Sequence, residues 1–174
     1  MRNISQMTYN VPRIKSIAVE NVNCFKKLTL KFSPGLNIVA AHKGTGKTTL
    51  ISLLAGARED AFMLVDENLR RGQKKGAVSV VYEPFQHSFT GRRYSLPYGP
   101  LWVTDFTTLK SVIKGLPKEH CLLVELDWLI YGRIQVPREQ IFTVLSKVRC
   151  QVIATVSPIG LDSPALKGSE ILRL

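Results

Sequence analysis

At 174 residues the chain has room for one domain with one core. Its 45% apolar content is ordinary for a globular protein, and neither a run of membrane-spanning length nor a secretion-signal pattern at the start is visible. Lysine and arginine number 24 against 13 acids, a net charge of +11. That balance suggests either an anionic partner, most often nucleic acid, or solvated basic turns that keep the chain soluble.

Residues 1–13 read as an N-terminal arm ending near Pro12, and 14–174 as a single domain. Residues 14–22 alternate well enough for a strand, with Ile14, Ile17 and Val19 apolar. Residues 28–32 alternate cleanly, and Ser33-Pro34-Gly35 is a turn. Residues 36–40, Leu-Asn-Ile-Val-Ala, form a buried strand.

A glycine-containing loop follows, Ala41-His42-Lys43-Gly44-Thr45-Gly46, and then a helix begins near Lys47. Strand, loop and helix in that order make a phosphate cradle. Gly44 and Gly46 let the backbone curl so that several N–H groups face one anion, and the helix N-terminus adds partial positive charge. Lys47 can reach the β- and γ-phosphates of a nucleotide. The Thr48 hydroxyl can join Mg²⁺, and Thr49 opens the apolar helical run. The usual pattern has glycine where this chain has Ala41.

Downstream, the helix should end near Gly56. Residues 61–66 and 77–83 read as two strands of a hairpin with a basic tip at 70–76. Residues 87–103 look irregular. Asp105 can cap a helix over 106–114. Residues 121–125, Cys-Leu-Leu-Val-Glu, are an apolar strand ending in a carboxylate, which suits a metal-holding position. Pro137 suits the first turn of a helix over 137–148 with Ile141, Val144, Leu145 and Val148 on its apolar face. Residues 150–156 form another strand and 170–174 a short closing one.

The segment 17–54 resembles the N-terminal nucleotide-binding segment of ABC-type ATPases of the SMC and RecF group. The resemblance lies in Glu20-Asn21-Val22-Asn23-Cys24-Phe25-Lys26-Lys27-Leu28, continues through Phe32-Ser33-Pro34-Gly35-Leu36-Asn37-Ile38-Val39, and runs into the loop. It implies an α/β P-loop NTPase fold of three layers, with a mostly parallel central sheet and an N-terminal antiparallel β-subdomain. It also implies binding of ATP and Mg²⁺, and pairing of two subunits, as a homodimer or with a partner ATPase subunit. The strand 150–156 would then lie between the phosphate-loop strand and the acidic strand, and bring Thr155 towards the γ-phosphate. By the same resemblance Gln86 would contact Mg²⁺ and the attacking water.

The chain departs from the pattern in four places. No Leu-Ser-Gly-Gly-like signature occurs. The metal acid is Glu125 where aspartate is usual. The water-polarising glutamate is replaced by Leu126, and a histidine by Val156. Asp127 could take over either acidic role if the strand end bends. The expectation is an ATP-binding protein with slow or partner-dependent hydrolysis acting with DNA. The alternatives are a nucleotide-binding regulatory or scaffolding subunit, and a small-molecule or nucleoside kinase. The basic groups open to an anionic partner are Lys26 and Lys27, Arg70, Arg71, Lys74 and Lys75, and Arg92 and Arg93. Cys24, Cys121 and Cys150 have no paired spacing, which fits a reduced, cytoplasmic setting with buried thiols.

Overall fold

The computed structural model describes residues 13–55, 69–83, 106–115, 121–131, 135–159 and 161–174. In chain order the elements are β1 (Arg13–Val22), β2 (Phe25–Lys31), β3 (Leu36–Ala40), α1 (Lys47–Ala55), β4 (Ala77–Glu83), α2 (Phe106–Gly115), β5 (Cys121–Glu125), α3 (Asp127–Tyr131), α4 (Arg138–Leu145), β6 (Gln151–Val156) and β7 (Glu170–Arg173). A 3₁₀ turn at Pro164–Leu166 precedes the last strand. Among the described residues no helix is long and apolar enough to cross a membrane.

The first strands form their own antiparallel sheet in the order β2-β1-β4. Alternation in β1 slips twice, so its buried set is Ile14, Ile17, Val19 and Val22. The first slip coincides with a bulge between Ile14 and Ser16, and the second with Asn21 in the left-handed region at φ +54°. Asn23, also left-handed at φ +50°, turns the chain into β2 so that Val22 faces Phe25 across the hairpin. The expected partner of β4 in a hairpin, 61–66, lies outside the described residues. β4 pairs with β1 over Arg13–Glu20, and Leu69 makes a single antiparallel bridge to Val22. Arg13 therefore belongs to β1 rather than to an N-terminal arm.

The second sheet is parallel, in the order β5-β6-β3-β7. β6 sits between the phosphate-loop strand and the acidic strand, as the resemblance implied. β3, β5 and β6 are buried at every position, as befits parallel strands covered on both faces. On one face, α1 (Leu50, Ile51, Leu54) and the antiparallel sheet (Ile17, Val19, Phe25) pack on Val39, Leu123 and Ile153. On the other, α2, α3 and α4 cover Ile38, Leu122, Val124 and Val152. The result is an α/β arrangement in three layers, with a parallel sheet in the middle and a separate antiparallel sheet against it.

α4 is shorter than expected, and Pro137 stands at its N-cap rather than inside its first turn. Its buried residues are Ile141, Phe142 and Leu145; Val144 and Val148 are only half-buried. Phe142 packs wholly inside the second cluster, a burial worth about 1.5–3 kcal/mol.

Two buried amides tie the layers together. Asn37 donates through Nδ2 to the carbonyls of Ser33 (3.0 Å), Gly35 (2.9 Å) and Val152 (3.1 Å), and accepts from Ser33 N at 2.8 Å. Gln151 accepts from Ile14 N at 2.7 Å and donates to Ile14 O and Ser33 O, each at 2.8 Å. Gln151 thereby fastens the start of β1 to the parallel sheet.

Candidate functional site

The phosphate-cradle loop leaves the C-terminal end of β3, where ligand sites of parallel sheets lie. Ala41 N bonds Val156 O at 2.9 Å, so the loop starts anchored to the neighbouring strand. Thr45 closes it, its hydroxyl and its N–H both bonding His42 O, at 2.7 and 3.4 Å. Gly44 and Gly46 hold φ values of +83° and +99°. Of His42, Lys43 and Gly44 at the crest, all are exposed to solvent.

The β1–β2 turn braces this loop from below. Asn23 Nδ2 bonds Thr49 Oγ1 at 2.8 Å, and Cys24 Sγ bonds Thr45 O at 3.0 Å. A Cβ on Gly46 would stand 2.5 Å from Cys24 Sγ and 2.7 Å from Phe25 Cζ, so this glycine is required by close approach as well as by φ. The motif Asn23-Cys24-Phe25 is thus a contact surface for the loop. Cys24 is exposed rather than buried, unlike Cys121 and Cys150. Burial pushes the Cys121 thiol well above its usual range, with Cys150 beside it adding to the rise.

Lys47 is 7% exposed and folds back over its own loop. Its Nζ donates to Ala41 O at 2.8 Å and His42 O at 2.9 Å, and pairs with Asp127 Oδ2 at 3.2 Å. Thr48 Oγ1 lies 2.9 and 3.0 Å from the two oxygens of Glu125, at the end of β5. Elements far apart in sequence thus bring Lys47, Thr48, Glu125 and Asp127 together.

Asp127 does not extend the acidic strand. The chain bends at Leu126, and Asp127 opens α3. Its Oδ1 accepts from Ser157 N at 2.9 Å and its Oδ2 from Ser157 Oγ at 3.0 Å. Leu126 and Val156 are both fully buried in the apolar cluster under α3 and α4. Thr155 pairs in register with Glu125 on one side and Val39 on the other. Its Oγ1 is buried and has no hydrogen-bond partner among the described residues. An orphaned hydroxyl beside a carboxylate, next to a hydroxyl–carboxylate pair of hard oxygen donors, fits a hydrated Mg²⁺ and a phosphate. Gln86, Arg92, Arg93 and Asp105 lie outside the described residues.

Sequence reasoning missed Ser157's bond to Asp127 and the side of the loop on which Asp127 falls. Only the Asp-Trp-Leu-Ile-Tyr run, a short apolar helix opened by an acid, carried a signal for it.

A second concave surface lies at the β1–β2 hairpin. Lys26, Lys27, Arg70 and Arg71 converge with Glu20, Asn21 and Gln73 around a cleft of about 500 Å³. Arg70 N bonds Asn21 O at 3.0 Å, which holds the 70–76 turn against the hairpin. Lys74 and Lys75 do not line the cleft.

Residues 16–79 match the AAA domain family. Over 122 residues the chain is 23% identical to the DNA double-strand break repair Rad50 ATPase of Nanoarchaeum equitans (strain Kin4-M), covering 68% of this chain and 16% of that protein. It therefore spans a small part of that relative's length. Two structures of the recombination mediator protein RecF in the RecFOR pathway are also similar. The RecF-ATPrS structure is 18% identical, with a TM-score of 0.38, over 76% of this chain and 38% of that one. The RecF-ATP structure is 15% identical, with a TM-score of 0.34, over 81% and 43%. By the domain match over residues 16–79 and the likeness to Rad50, this chain is similar to P-loop ATPase domains of the SMC/RecF type.

Proposed function

We propose that residues 14–174 are a single nucleotide-binding domain that takes ATP with Mg²⁺, turns it over slowly or only with a partner, and acts with DNA. The observation that carries the nucleotide reading is the cluster of Lys47, Thr48 and Glu125 at the mouth of the glycine loop. ATP would supply a transferable terminal phosphoryl group, and Mg²⁺ would neutralise charge on its oxygens. Loop amides from Lys43 to Lys47 receive phosphate oxygens, with Ala41 and His42 fixing the loop's start and Thr49 its far side. Lys47 gives its charge to the β- and γ-phosphates. Thr48 and Glu125 would hold the metal, and Thr155 would offer its unused hydroxyl to the same place.

Slow turnover follows from the groups around the reacting centre. Leu126 and Val156 sit in the core and cannot move a proton. Both oxygens of Asp127 are engaged. Missing general-base assistance lowers rates by about 10²- to 10⁴-fold. These same facts favour the second reading, a regulatory or scaffolding subunit for which ATP is a switching ligand. A partner ATPase subunit would supply the signature contact, since a second copy of this chain lacks it as well. A small-molecule or nucleoside kinase would need lid arginines, for which Arg92 and Arg93, outside the described residues, are the candidates. Gln86 keeps its proposed role towards Mg²⁺ and water.

The deciding experiment measures ATP binding and steady-state hydrolysis with Mg²⁺, with and without double-stranded DNA, beside Lys47→Ala. ATP affinity should fall at least about tenfold in Lys47→Ala, since a charge-assisted contact worth about 1.5–3 kcal/mol is removed. DNA-stimulated turnover that Lys47→Ala abolishes supports the ATPase reading. Binding without turnover on any DNA supports the switching ligand. Equal ATP binding by both chains would sink the site itself.

For DNA, the support is the basic cleft together with the net charge of +11. Replacing Lys26, Lys27, Arg70 and Arg71 together by alanine should remove up to four phosphate contacts. The slope of log affinity against log salt should then flatten by about 3 to 4. Replacing Lys74 and Lys75 should change it less, because they lie outside the cleft. Equal slopes for the two variants, read by fluorescence anisotropy over a salt series, would remove the cleft from the DNA reading.

A further inference from the structure

Asp127 has no counterpart in the roles the sequence offered it. It is neither the strand-end metal acid, which is Glu125, nor a free carboxylate facing water. It stands 3.2 Å from the ammonium of Lys47, and Ser157 holds both its oxygens from the end of β6. The lysine of the phosphate loop thus already grips an anion. That anion is fixed by a backbone N–H and a hydroxyl, the two donor types that also bind phosphate. The pair is sheltered, with side chains only 7% and 23% exposed.

We propose that Asp127 is a positioning residue that competes with the terminal phosphate for Lys47, so that the loop discriminates between nucleoside triphosphate and diphosphate. The inference rests on nucleotide binding at Lys47. A diphosphate fills the cradle of loop amides and reaches Lys47 through its β-phosphate alone, so the lysine can serve it and Asp127 together. A triphosphate places further negative charge beside the same lysine. It must draw Lys47 away from Asp127 or share it, against the repulsion of a carboxylate that Ser157 prevents from swinging clear. Two like charges on one cation at hydrogen-bond distance cannot both be fully served. The charge of Asp127 therefore weakens triphosphate binding selectively and keeps the empty loop's lysine ordered. The cost of that order is lower affinity for the triphosphate.

The test titrates a non-hydrolysable ATP analogue and ADP, each with Mg²⁺, by calorimetry into the wild-type chain, Asp127→Asn, Asp127→Glu and Lys47→Ala. Asn keeps the shape and the bond to Ser157 N but not the charge. In Asp127→Asn the analogue should bind about tenfold more tightly and ADP within about threefold of wild type. Asp127→Glu, which keeps the charge, should return the ratio towards wild type. The nucleotide-free melting temperature of Asp127→Asn should drop, because the ion pair is lost. A merely structural Asp127 would weaken both nucleotides together, and that result overturns the inference. So does an unchanged analogue-to-ADP ratio when Lys47→Ala has lost binding. Wild-type binding by Lys47→Ala overturns the site and the inference at once. Should Asp127→Asn fail to fold, Asp127→Ser gives the same reading of the ratio.

Discussion

Gly46→Ala is expected to abolish detectable ATP binding and to lower stability by about 2–5 kcal/mol. Two independent costs add. At φ +99° an L-residue is in the left-handed half of the map, at about 1–2 kcal/mol. The new methyl would also lie 2.5 Å from Cys24 Sγ, 2.7 Å from Phe25 Cζ and 3.1 Å from Phe25 Cε2. Overpacking of this kind costs about 1–3 kcal/mol. Phe25 is buried against α1 and the parallel sheet, so its ring has little room to retreat. The loop must give instead, and with it the amides that would face the phosphate. Gly44→Ala is the matched comparison. Its φ is +83°, but no atom lies within 4 Å of its Cβ position, so only the backbone cost applies. Calorimetric titration and denaturant unfolding of both variants separate the terms. Cys24→Ala combined with Gly46→Ala should recover part of the stability. Wild-type ATP affinity in Gly46→Ala would show that the loop does not need the close approach of the hairpin.

The second large effect lies away from the loop. Gln151→Leu should destabilise the fold by about 3–5 kcal/mol while leaving the secondary structure of the folded fraction intact. Leucine fills similar space, yet it strands Ile14 N–H and Ile14 C=O, which Gln151 now satisfies at 2.7 and 2.8 Å, and it leaves Ser33 C=O with Asn37 Nδ2 as its donor. Each buried group left without a partner costs about 1–3 kcal/mol. Gln151 is 1% exposed, so water has no ready path to replace it. Urea unfolding followed by circular dichroism gives the difference directly. A loss below about 1 kcal/mol would mean that the antiparallel sheet docks without this amide.

Gln151 also shows where the sequence stopped being readable. The residues of the phosphate loop announce themselves because glycine spacing, a lysine and a hydroxyl are demanded by one local geometry. The bounds of β3, Leu36–Ala40, and the start of α1 at Lys47 were legible for the same reason. The position of β6 beside β3 came only from resemblance, since strand order is a long-range property. A lone glutamine or asparagine within an apolar run gives no local signal, so the partners of Gln151 and Asn37 were invisible. The bend at Leu126 was equally hidden. A strand ending in Glu-Leu-Asp reads the same whether Asp127 continues it or turns towards Lys47, and packing of Leu126, Leu129 and Ile130 under the sheet decides the matter. In α4 the spacing chose Val144 where the core takes Phe142, because the helix faces its neighbours along a slightly rotated stripe. Lys26, Lys27, Arg70 and Arg71 were separate groups in the sequence and share one cleft because Arg70 N bonds Asn21 O.

The placement of β3 has a consequence for how the chain is made. Both neighbours of this strand, β6 and β7, come from the far end of the sequence, and Asn37 bonds Val152 across 115 residues. Ile14 meets Gln151 across 137. During synthesis the β1–β2 hairpin can close as soon as it emerges, because its partners are adjacent. The loop-bearing strand cannot. It leaves the ribosome with both edges open and waits for most of the remaining chain, at roughly 5–20 residues per second. Over those seconds an apolar strand and its glycine loop have no sheet to join, so pairing with other chains competes with folding.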